Sequence, residues 1–517
     1  MNLKWLSSLT PKKFEKKHFI LIVILLIASF LRLYNVADTV QFLGDQGRDA
    51  MIVASIFKNL DPVFIGPVTS VGNMYLGPLY YYFMLPFLFI TYPSPMGPVY
   101  AVAVLGIITV FLLYYFGKKM FSENIGLLAA GLYAVSTLVA YNTRFSWNPN
   151  PAPFVSLLML FFVYKAVNKH PWYWILVVVC FSVLIQLHYV TILSGAGFGV
   201  IWILQAIHKY KKKETLQPLL QATALGILVC LFSLTPLFLF DLKHDGLNRK
   251  AFLNLFQKED AFFKSSRESN IFQDVKNRSV LVTSEVFLGK QDEKVELITT
   301  FILLSTLVVI TYQTLTNKKN IYNIYKQPEF IIFSFLITSI VGISLYKQTV
   351  YTHYISYLFP FSFLMLALVL NYYYKKHILG KLLVGIFLLA FLKFNYQYGM
   401  LILSSQGWTI AHVQGVAKTI EDRVQPGENY NIILLNGTGD LNGQNYRYFL
   451  HASEKPPVTE DKFGEIETLF IIDEVRAHAK VANLPIYEIV VFPNKEPVEV
   501  YQIPNGPEIT VLRKDTN

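Results

Sequence analysis

Two carboxylates, Asp45 and Asp49, flank Arg48 just beyond the first long apolar run of the chain, residues 18–36. That run is long enough to cross a bilayer, so we expect the three charged side chains on a glycine-kinked loop at a membrane surface. A carboxylate placed there is suited to take a proton from a hydroxyl group or to bind a divalent cation. Asp45 is therefore the candidate general base and Asp49 the second candidate catalytic residue. Both are also candidate metal ligands, and no other cofactor is indicated.

The composition indicates a membrane protein. Of 517 residues, 53% are hydrophobic and only 15% are charged, which excludes a soluble protein of ordinary composition. A net charge of +11 is compatible with nucleic-acid binding, but the lysines cluster in short loops between apolar runs. Because that distribution is typical of membrane orientation, we expect membrane lipid as a partner and no nucleic acid.

The positions of the lysines also predict the topology. The chain has about eleven apolar runs of spanning length, and a further run, 76–92, is short and contains Pro78 and Pro86. If this run crossed the membrane, the basic loops at 118–119, 209–213, 318–319 and 375–376 would face outward. We therefore predict that 76–92 is a re-entrant or juxtamembrane segment and that the N-terminus is cytoplasmic. The fold class is mainly α, a polytopic helix bundle of about eleven spans in the plasma membrane.

Residues 1–403 are predicted to form the transmembrane catalytic domain, with outer loops at 37–97, 142–151, 241–295 and 347–353. Short amphipathic helices are expected in the third loop. In the tail, 404–517, turn-forming residues separate short apolar runs that follow a helical pattern at 410–423. These runs predict strands at 432–435, 469–472, 489–492, 498–503 and 509–512, hence a small extracytoplasmic α/β domain.

Polar and ionisable residues gather at the predicted outer ends of the spans. Such groups are costly near the membrane unless they serve a site, although any single one of them could simply reach the lipid headgroups. Together with the acidic motif they indicate one outward-facing site. Its further members are Arg144, Asn148, His188, Asp241, His244, Lys347 and His353.

The order of motifs resembles the bacterial branch of the GT-C glycosyltransferases, near glycosyltransferase family 39. Relatives in that group include the protein O-mannosyltransferases and the aminoarabinose transferase of lipid A. The resemblance is firmest over 40–195, and it rests on these segments: Gly-Asp-x-Gly-x-Asp at 44–49, Gly66-Pro67, Ser70 to Asn73, Tyr75 to Tyr82, and Trp147-Asn148-Pro149-Asn150-Pro151.

The resemblance implies an enzyme that moves a sugar from a polyprenyl-phosphate donor to a lipid, glycan or protein acceptor. It implies that an acidic residue of the first outer loop is catalytic, which matches Asp45. Many relatives carry a second acid in the next outer loop, where this chain has Asn148 and Asn150, so Asp49 or Asp241 would have to supply a second metal ligand.

Transfer from such a donor needs a base and cations that stabilise the departing phosphate. The candidate phosphate ligands are Arg144, His188, Lys347 and His353. The candidate substrate-positioning residues are Arg48, Tyr80, Tyr81, Asn148, Asp241 and His244.

Two other functions remain open at this stage. A transporter or flippase of a lipid-linked sugar would also have many helices and outward-facing charges. However, it should place ionisable groups near the middle of the membrane and often contains internal repeats, neither of which is evident here. A scaffold that displays the tail domain would leave the charged loop residues without a role.

Overall fold

The structure, a computed structural model, describes residues 16–69, 74–257, 271–282, 286–288, 293–316, 323–346, 350–404, 407–437, 441–475 and 484–514. The helices before the tail are α1 (Lys16–Leu33), α2 (Val36–Thr39), α3 (Gly44–Lys58), α4 (Leu79–Thr91), α5 (Met96–Met120), α6 (Glu123–Val135), α7 (Thr137–Asn142), α8 (Ala152–Asn168), α9 (Tyr173–Leu187), α10 (Ser194–Lys211), α11 (Gln217–Lys243), α12 (Leu247–Gln257), α13 (Ile271–Val280), α14 (Val286–Leu288), α15 (Glu293–Thr316), α16 (Pro328–Ser344), α17 (Phe359–Lys376) and α18 (Ile378–Ile402). Two 3-10 helices, Tyr189–Leu193 and Thr352–Leu358, precede α10 and α17.

Each apolar run that the sequence predicts to span forms a helix, and one of these runs forms two helices, α6 and α7. In the described residues five helical segments are long and apolar enough to cross a membrane: Met96–Met120, Tyr189–Lys211, Gln217–Lys243, Thr352–Lys376 and Ile378–Gln397. Shorter apolar helices accompany them, among them α6, α8, α9 and α16. The mainly helical membrane fold is therefore confirmed, while the count of about eleven spans stays a prediction.

The bundle has a buried centre and an apolar exterior. In the apolar stretch of the segment Thr352–Lys376, 89% of the residues are buried, whereas in that of α11 only 6% are buried. The exposed side chains of α11 include the large apolar residues Leu228, Phe232 and Leu242. Large apolar side chains that face outward on a long helix are expected where lipid is the solvent.

The break between α6 and α7 lies at Ser136. The freed backbone N–H of Thr137 donates to Asn395 Oδ1 at 2.8 Å, and the Thr137 hydroxyl donates to the Asn395 carbonyl at 2.6 Å. A side chain of α18 thus satisfies the backbone that the break leaves unpaired, as a break at membrane depth requires.

The segment predicted not to cross, 76–92, contains α4, which has 13 residues. A helix of that length rises about 20 Å, less than the roughly 30 Å hydrocarbon core. It packs on α3 and α5. Its length and packing agree with the prediction of a re-entrant or juxtamembrane segment.

Basic and acidic residues meet at the end of the bundle where α5 turns into α6. Lys17 Nζ lies 3.0 Å from Glu123 Oε2, and Lys118 Nζ lies 2.5 Å from Glu123 Oε1. Because Lys17 is at the start of α1 and the acidic motif follows its other end, this cluster and the motif lie at opposite ends of α1.

The tail contains α19 (Ile410–Glu421), α20 (Gln444–Ala452), α21 (Tyr487–Val491) and a four-stranded sheet of β1 (Tyr430–Leu435), β2 (Thr468–Asp473), β3 (Pro497–Gln502) and β4 (Glu508–Arg513). The strand order is β1-β2-β4-β3. The pair β1–β2 is parallel and the other two pairs are antiparallel. The small α/β architecture predicted for the tail is confirmed.

One predicted strand, 489–492, is wrong, since it forms most of α21 and the residue after it. Ile489 and Phe492 are three residues apart and both are buried against one face of the sheet, beside Leu469, Ile471 and Leu512. A spacing of three places two side chains on one side of a helical turn, whereas a strand would point them to opposite faces.

Candidate active site

The acidic motif is the start of helix α3 and not a loop, so that part of the sequence prediction is wrong. The helix begins at Gly44, and the backbone N–H of Leu43 donates to Gln46 Oε1 at 2.9 Å, which closes its first turn. Gly47 is helical and does not kink the chain. It is a close-approach site, because a Cβ atom there would lie 2.4 Å from the carbonyl oxygen of Gln444 in α20.

Arg48 joins the two carboxylates of the motif. Its Nη1 lies 2.9 Å from Asp45 Oδ1, and its Nη2 and Nε lie 2.8 and 3.0 Å from Asp49 Oδ1. A guanidinium carries five N–H donors, and these contacts use three of them. The Asp45 side chain is 50% exposed, while that of Asp49 is 2% exposed. The two predicted catalytic residues therefore stand in very different surroundings.

Asp49 is held inside the protein. Besides Arg48, the Tyr81 hydroxyl of α4 donates to Asp49 Oδ1 at 3.3 Å. Burial raises the pKa of Asp49 to about 6, and the neighbouring Arg48 opposes that shift. A carboxylate in this position is suited to hold the guanidinium of Arg48 in place.

The side chains of Asp45 and Arg48 line a cavity of about 260 Å³. It lies between α3, the segment after α3, the loop before α8 and the starts of the two 3-10 helices. Its lining consists of Asp45, Arg48, Pro67, Val68, Thr69, Leu76, Trp147, Asn148, Pro149, His188, Tyr189, His353 and Tyr354. Five residues predicted from widely separated parts of the sequence, Asp45, Arg48, Asn148, His188 and His353, therefore share one cavity.

The part of the cavity lining formed by Trp147, Asn148 and His188 is polar and aromatic. Asn148 Nδ2 donates to the Leu187 carbonyl at 2.6 Å, which ties the loop before α8 to the end of α9. Next to it, the backbone N–H of Val190 donates to His188 Nδ1 at 3.4 Å, so the ring proton of neutral His188 belongs on Nε2. Burial, and secondarily His353, lowers the pKa of His188 to about 3. His188 is therefore a neutral hydrogen-bond donor at pH 7.

Sequence reasoning did not select Trp147, Tyr189 and Tyr354, which also line the cavity. Trp147 is half-buried, and its ring centroid lies 4.4 Å from that of His353. Aromatic residues near helix ends are usually interfacial anchors, so the sequence alone did not distinguish these three as site residues. The available signal was the position of Trp147 directly before Asn148 in the Trp-Asn-Pro-Asn-Pro motif.

Arg144 does not line the cavity. It is 4% exposed, and its Nη1 donates to the Leu31 carbonyl at 2.8 Å, while its Nη2 donates to Thr39 Oγ1 at 2.6 Å. Both terminal nitrogens also lie 3.1 Å from the Tyr34 carbonyl. The carbonyl groups that end α1 need such donors. In the structure Arg144 therefore caps α1 and does not lie where it was predicted to bind phosphate.

Four other predicted site residues lie outside the cavity lining. Asp241 Oδ1 accepts the backbone N–H of Arg249 at 3.2 Å, and the exposed His244 ring lies 4.4 Å from that of Phe240. Tyr80 shares a hydrogen bond of 2.6 Å with Ser146, and Tyr81 supports Asp49 from behind. Lys347, the remaining phosphate candidate, falls outside the described residues.

The predicted metal site does not fit this geometry. The guanidinium of Arg48 occupies the space between Asp45 and Asp49 that a cation bound by both would need. The described residues contain no group of three histidine, cysteine, aspartate or glutamate side chains arranged to hold a metal ion. We therefore assign no metal-dependent step to this pair.

An apolar cleft adjoins the cavity and shares Tyr189 and Tyr354 with it. It is lined by Tyr189, Val190, Ile192, Leu193, Phe252, Gly342, Ile343, Tyr346, Val350 and Tyr354. The polar cavity thus continues into a surface of hydrocarbon and aromatic rings.

The fold is that of known membrane transferases. ArnT from Cupriavidus metallidurans bound to undecaprenyl phosphate matches with a TM-score of 0.56 and 13% identity, over 96% of this chain and 97% of that one. The archaeal oligosaccharyltransferase AglB from Archaeoglobus fulgidus, in complex with an inhibitory peptide and a dolichol-phosphate, matches with a TM-score of 0.53 and 12% identity, over 88% and 69% of the two chains. No curated protein sequence matches the chain.

Residues 76–236 match the family model of the dolichyl-phosphate-mannose-protein mannosyltransferases. Over that segment the chain is similar to glycosyltransferases of this family, and over most of its length it has the fold of ArnT and AglB. The family match and the apolar helices together indicate a multi-pass membrane protein. The family match begins just before α4 and ends within α11, so it includes Trp147, Asn148 and His188 of the cavity.

Proposed function

We propose that this protein is a GT-C glycosyltransferase that transfers a sugar from a polyprenyl-phosphate donor to an acceptor hydroxyl on the outer face of the plasma membrane. Asp45 is the general base, and Arg48 binds the donor phosphate. The observation that carries the proposal is the Asp45–Arg48 ion pair at the mouth of one cavity. The bound undecaprenyl phosphate of ArnT and the bound dolichol-phosphate of AglB support a donor of this class.

The transfer is a single displacement. The acceptor oxygen forms a bond to the anomeric carbon of the sugar while the bond from that carbon to the phosphate oxygen breaks. Asp45 takes the proton of the hydroxyl, and the electron pair of the broken bond leaves with the polyprenyl phosphate. Attack on the face opposite the leaving group inverts the anomeric configuration. Asp45 suits the role of base because its half-exposed carboxylate faces the cavity.

Arg48 stabilises the departing phosphate. Among the described residues that line the cavity, it is the one with a permanent positive charge. Three of its N–H donors are used on the two carboxylates, which leaves two for phosphate oxygens. Because Asp49 and Tyr81 fix the guanidinium from behind, it meets the developing charge without having to reorganise.

The rest of the cavity suits the two other parts of the donor. A sugar ring has an apolar C–H face and polar hydroxyl edges, which match the indole of Trp147 and the side chains of Asn148 and His188. The prenyl chain fits the apolar cleft beyond Tyr189 and Tyr354. Neutral His188 contributes an Nε2–H donor and not a positive charge.

The site is assigned to the outer face from the charges at the two ends of α1. Lys17, Lys118 and Glu123 cluster at one end, and the positive-inside rule places Lys17 and Lys118 in the cytoplasm. Asp45 lies beyond the other end. Helix α20 of the tail contacts α3, so the tail lies on the same side of the membrane as Asp45. Residues 404–517 then form an extracytoplasmic domain, and residues 1–403 form the membrane domain.

The proposal is tested by incubating the purified enzyme with labelled polyprenyl-phosphate sugars. We expect release of free polyprenyl phosphate, with the sugar passed to a hydroxyl acceptor on a lipid, glycan or protein, or slowly to water. The competing function is a transporter or flippase of the lipid-linked sugar. In proteoliposomes a transporter would move intact donor between leaflets without breaking the sugar–phosphate bond, and that result would refute the proposal.

A further inference from the structure

The tail domain rests directly on the helix that carries Asp45 and Arg48. The first turn of α20 crosses α3 at Gly47, where an added Cβ would lie 2.5 Å from both N and Cα of Asn445. The two backbones are therefore in contact, and any side chain at this position would separate them. Gly47 stands between Asp45 and Arg48 in the sequence, so the contact is made within the reactive turn itself.

The tail also holds the residue that leads into α3. The backbone N–H of Phe42 donates to the Trp408 carbonyl at 2.9 Å, and the Phe42 carbonyl accepts from Asn445 Nδ2 at 3.3 Å. Just before it, Gln41 forms an isolated antiparallel bridge with Thr409. Both polar groups of the Phe42 backbone are thus bonded to the tail, three residues before Asp45.

The bonding partners of Phe42 are fixed to one another. Trp408 Nε1 donates to Glu474 Oε1 at 2.6 Å, and the Tyr446 hydroxyl donates to the same oxygen at 2.7 Å. One carboxylate at the end of β2 therefore joins the linker before α19 to the helix α20. Because Trp408 and α20 are held to each other, they hold the backbone of Phe42 in one position.

Apolar contacts cover the same junction. The Phe42 ring is 3% exposed, and its centroid lies 5.6 Å from that of Tyr448 and 5.5 Å from that of Phe449. The Tyr448 hydroxyl donates to the Pro93 carbonyl at 2.8 Å, so α20 is also tied to the connection between α4 and α5. The first turn of α3 is thus packed between the tail and the membrane helices.

We infer that the tail domain contributes to the active site by positioning the first turn of α3. Asn445 and Gly47 are then positioning residues for Asp45. The inference rests on the proposed function. Asp45 lies in the first turn of α3, next to the tail contacts, whereas Arg48 has its own support from Asp49 and Tyr81 on the membrane side. Loss of the tail contacts should therefore disturb the base more than the phosphate ligand.

The test compares Asn445→Ala with Asn494→Ala in the full-length enzyme. Asn494 is a matched control because its side-chain oxygen accepts the N–H of Glu496 within the tail, away from the contacts with α3. We expect Asn445→Ala to lower kcat about tenfold or more, since small displacements of a reacting group are costly. Its affinity for polyprenyl phosphate should stay within about twofold of wild type. The control should change neither quantity.

Hydrogen–deuterium exchange of the peptide that contains residues 41–47 supplies a readout independent of activity. Asn445→Ala should speed this exchange and Asn494→Ala should not. Gly47→Ala changes the α3 side of the same contact, so it should also speed the exchange of residues 41–47 and lower kcat. A merely structural residue would instead lower thermal stability and the amount of folded enzyme, with kcat per folded molecule unchanged.

Three outcomes overturn the inference. The first is wild-type kcat in Asn445→Ala, whatever the exchange rate; the second is an equal loss of kcat in the control, which would indicate general damage to the tail. In the third, kcat falls but exchange at 41–47 stays unchanged. If the wild-type enzyme cleaves no donor, the proposed function fails first, and the exchange experiment alone decides whether the tail fixes α3.

Discussion

Among single residues, the proposed site contains two carboxylates that share one arginine but stand in different surroundings. Asp45 is half-exposed and faces the cavity, and Asp49 is buried behind it. The arginine bridges the two carboxylates, and its support comes from Asp49 and Tyr81 on the buried side.

Arg48→Lys should weaken the binding of polyprenyl phosphate although the charge is kept. Lysine has one nitrogen and cannot contact Asp45, Asp49 and a phosphate in the forked geometry of a guanidinium. We expect the dissociation constant for polyprenyl phosphate to rise about tenfold or more, as loss of a charged hydrogen bond implies. Equal affinity in the lysine variant, measured by titration of purified protein, would show that a simple positive charge is enough.

The rate of transfer should fall as the pH drops through about 6, the raised pKa of Asp49. Above that pH the carboxylate is charged and holds Arg48, whereas below it the carboxyl is protonated and the ion pair is lost. In Asp49→Asn the rate should be low, and the step near pH 6 should be absent. A pH–rate profile of both proteins checks this, and an unchanged step in the variant would assign the titration to another group.

At the scale of helices, Arg144 illustrates the limit of reasoning from sequence. Its place just after α7 correctly put it near a helix end, but its partners, the carbonyls of Leu31 and Tyr34, are more than 100 residues away along the chain. Apolar runs report length and burial, so they predicted the helices and most strands. Contacts between distant segments have no local signature, which is why the roles of Arg144 and Asp49, and the contact at Gly47, became visible only in three dimensions.

Arg144→Lys should lower stability and leave donor binding unchanged. A single ammonium group cannot replace the contacts with Leu31, Tyr34 and Thr39 together, so buried acceptors at the end of α1 would lose their donors. We expect a cost of about 1–3 kcal/mol, measured as a lower midpoint of thermal unfolding in detergent. A normal midpoint combined with weakened polyprenyl-phosphate binding would restore Arg144 to the site.

For the whole molecule, the proposed function requires that the cavity and the turn between α5 and α6, next to Lys118, lie on opposite sides of the membrane. Single cysteines at the exposed positions Asp61, Lys119 and Glu496, in a background without Cys180 and Cys230, test this with a membrane-impermeant thiol reagent. The first and last positions should react from outside and Lys119 only from the cytoplasm. Outward labelling at Lys119, or cytoplasmic labelling in the tail, would reverse the topology.

Asp45 is proposed to be the base in a sugar transfer from a polyprenyl-phosphate donor. The most direct test is the turnover of labelled donor by purified wild-type and Asp45→Asn enzyme, with polyprenyl-phosphate binding measured in parallel. We predict that Asp45→Asn lowers turnover about 100-fold or more, as loss of a general base implies, while binding is retained through Arg48. Near-normal turnover in Asp45→Asn would contradict the account and place the base elsewhere.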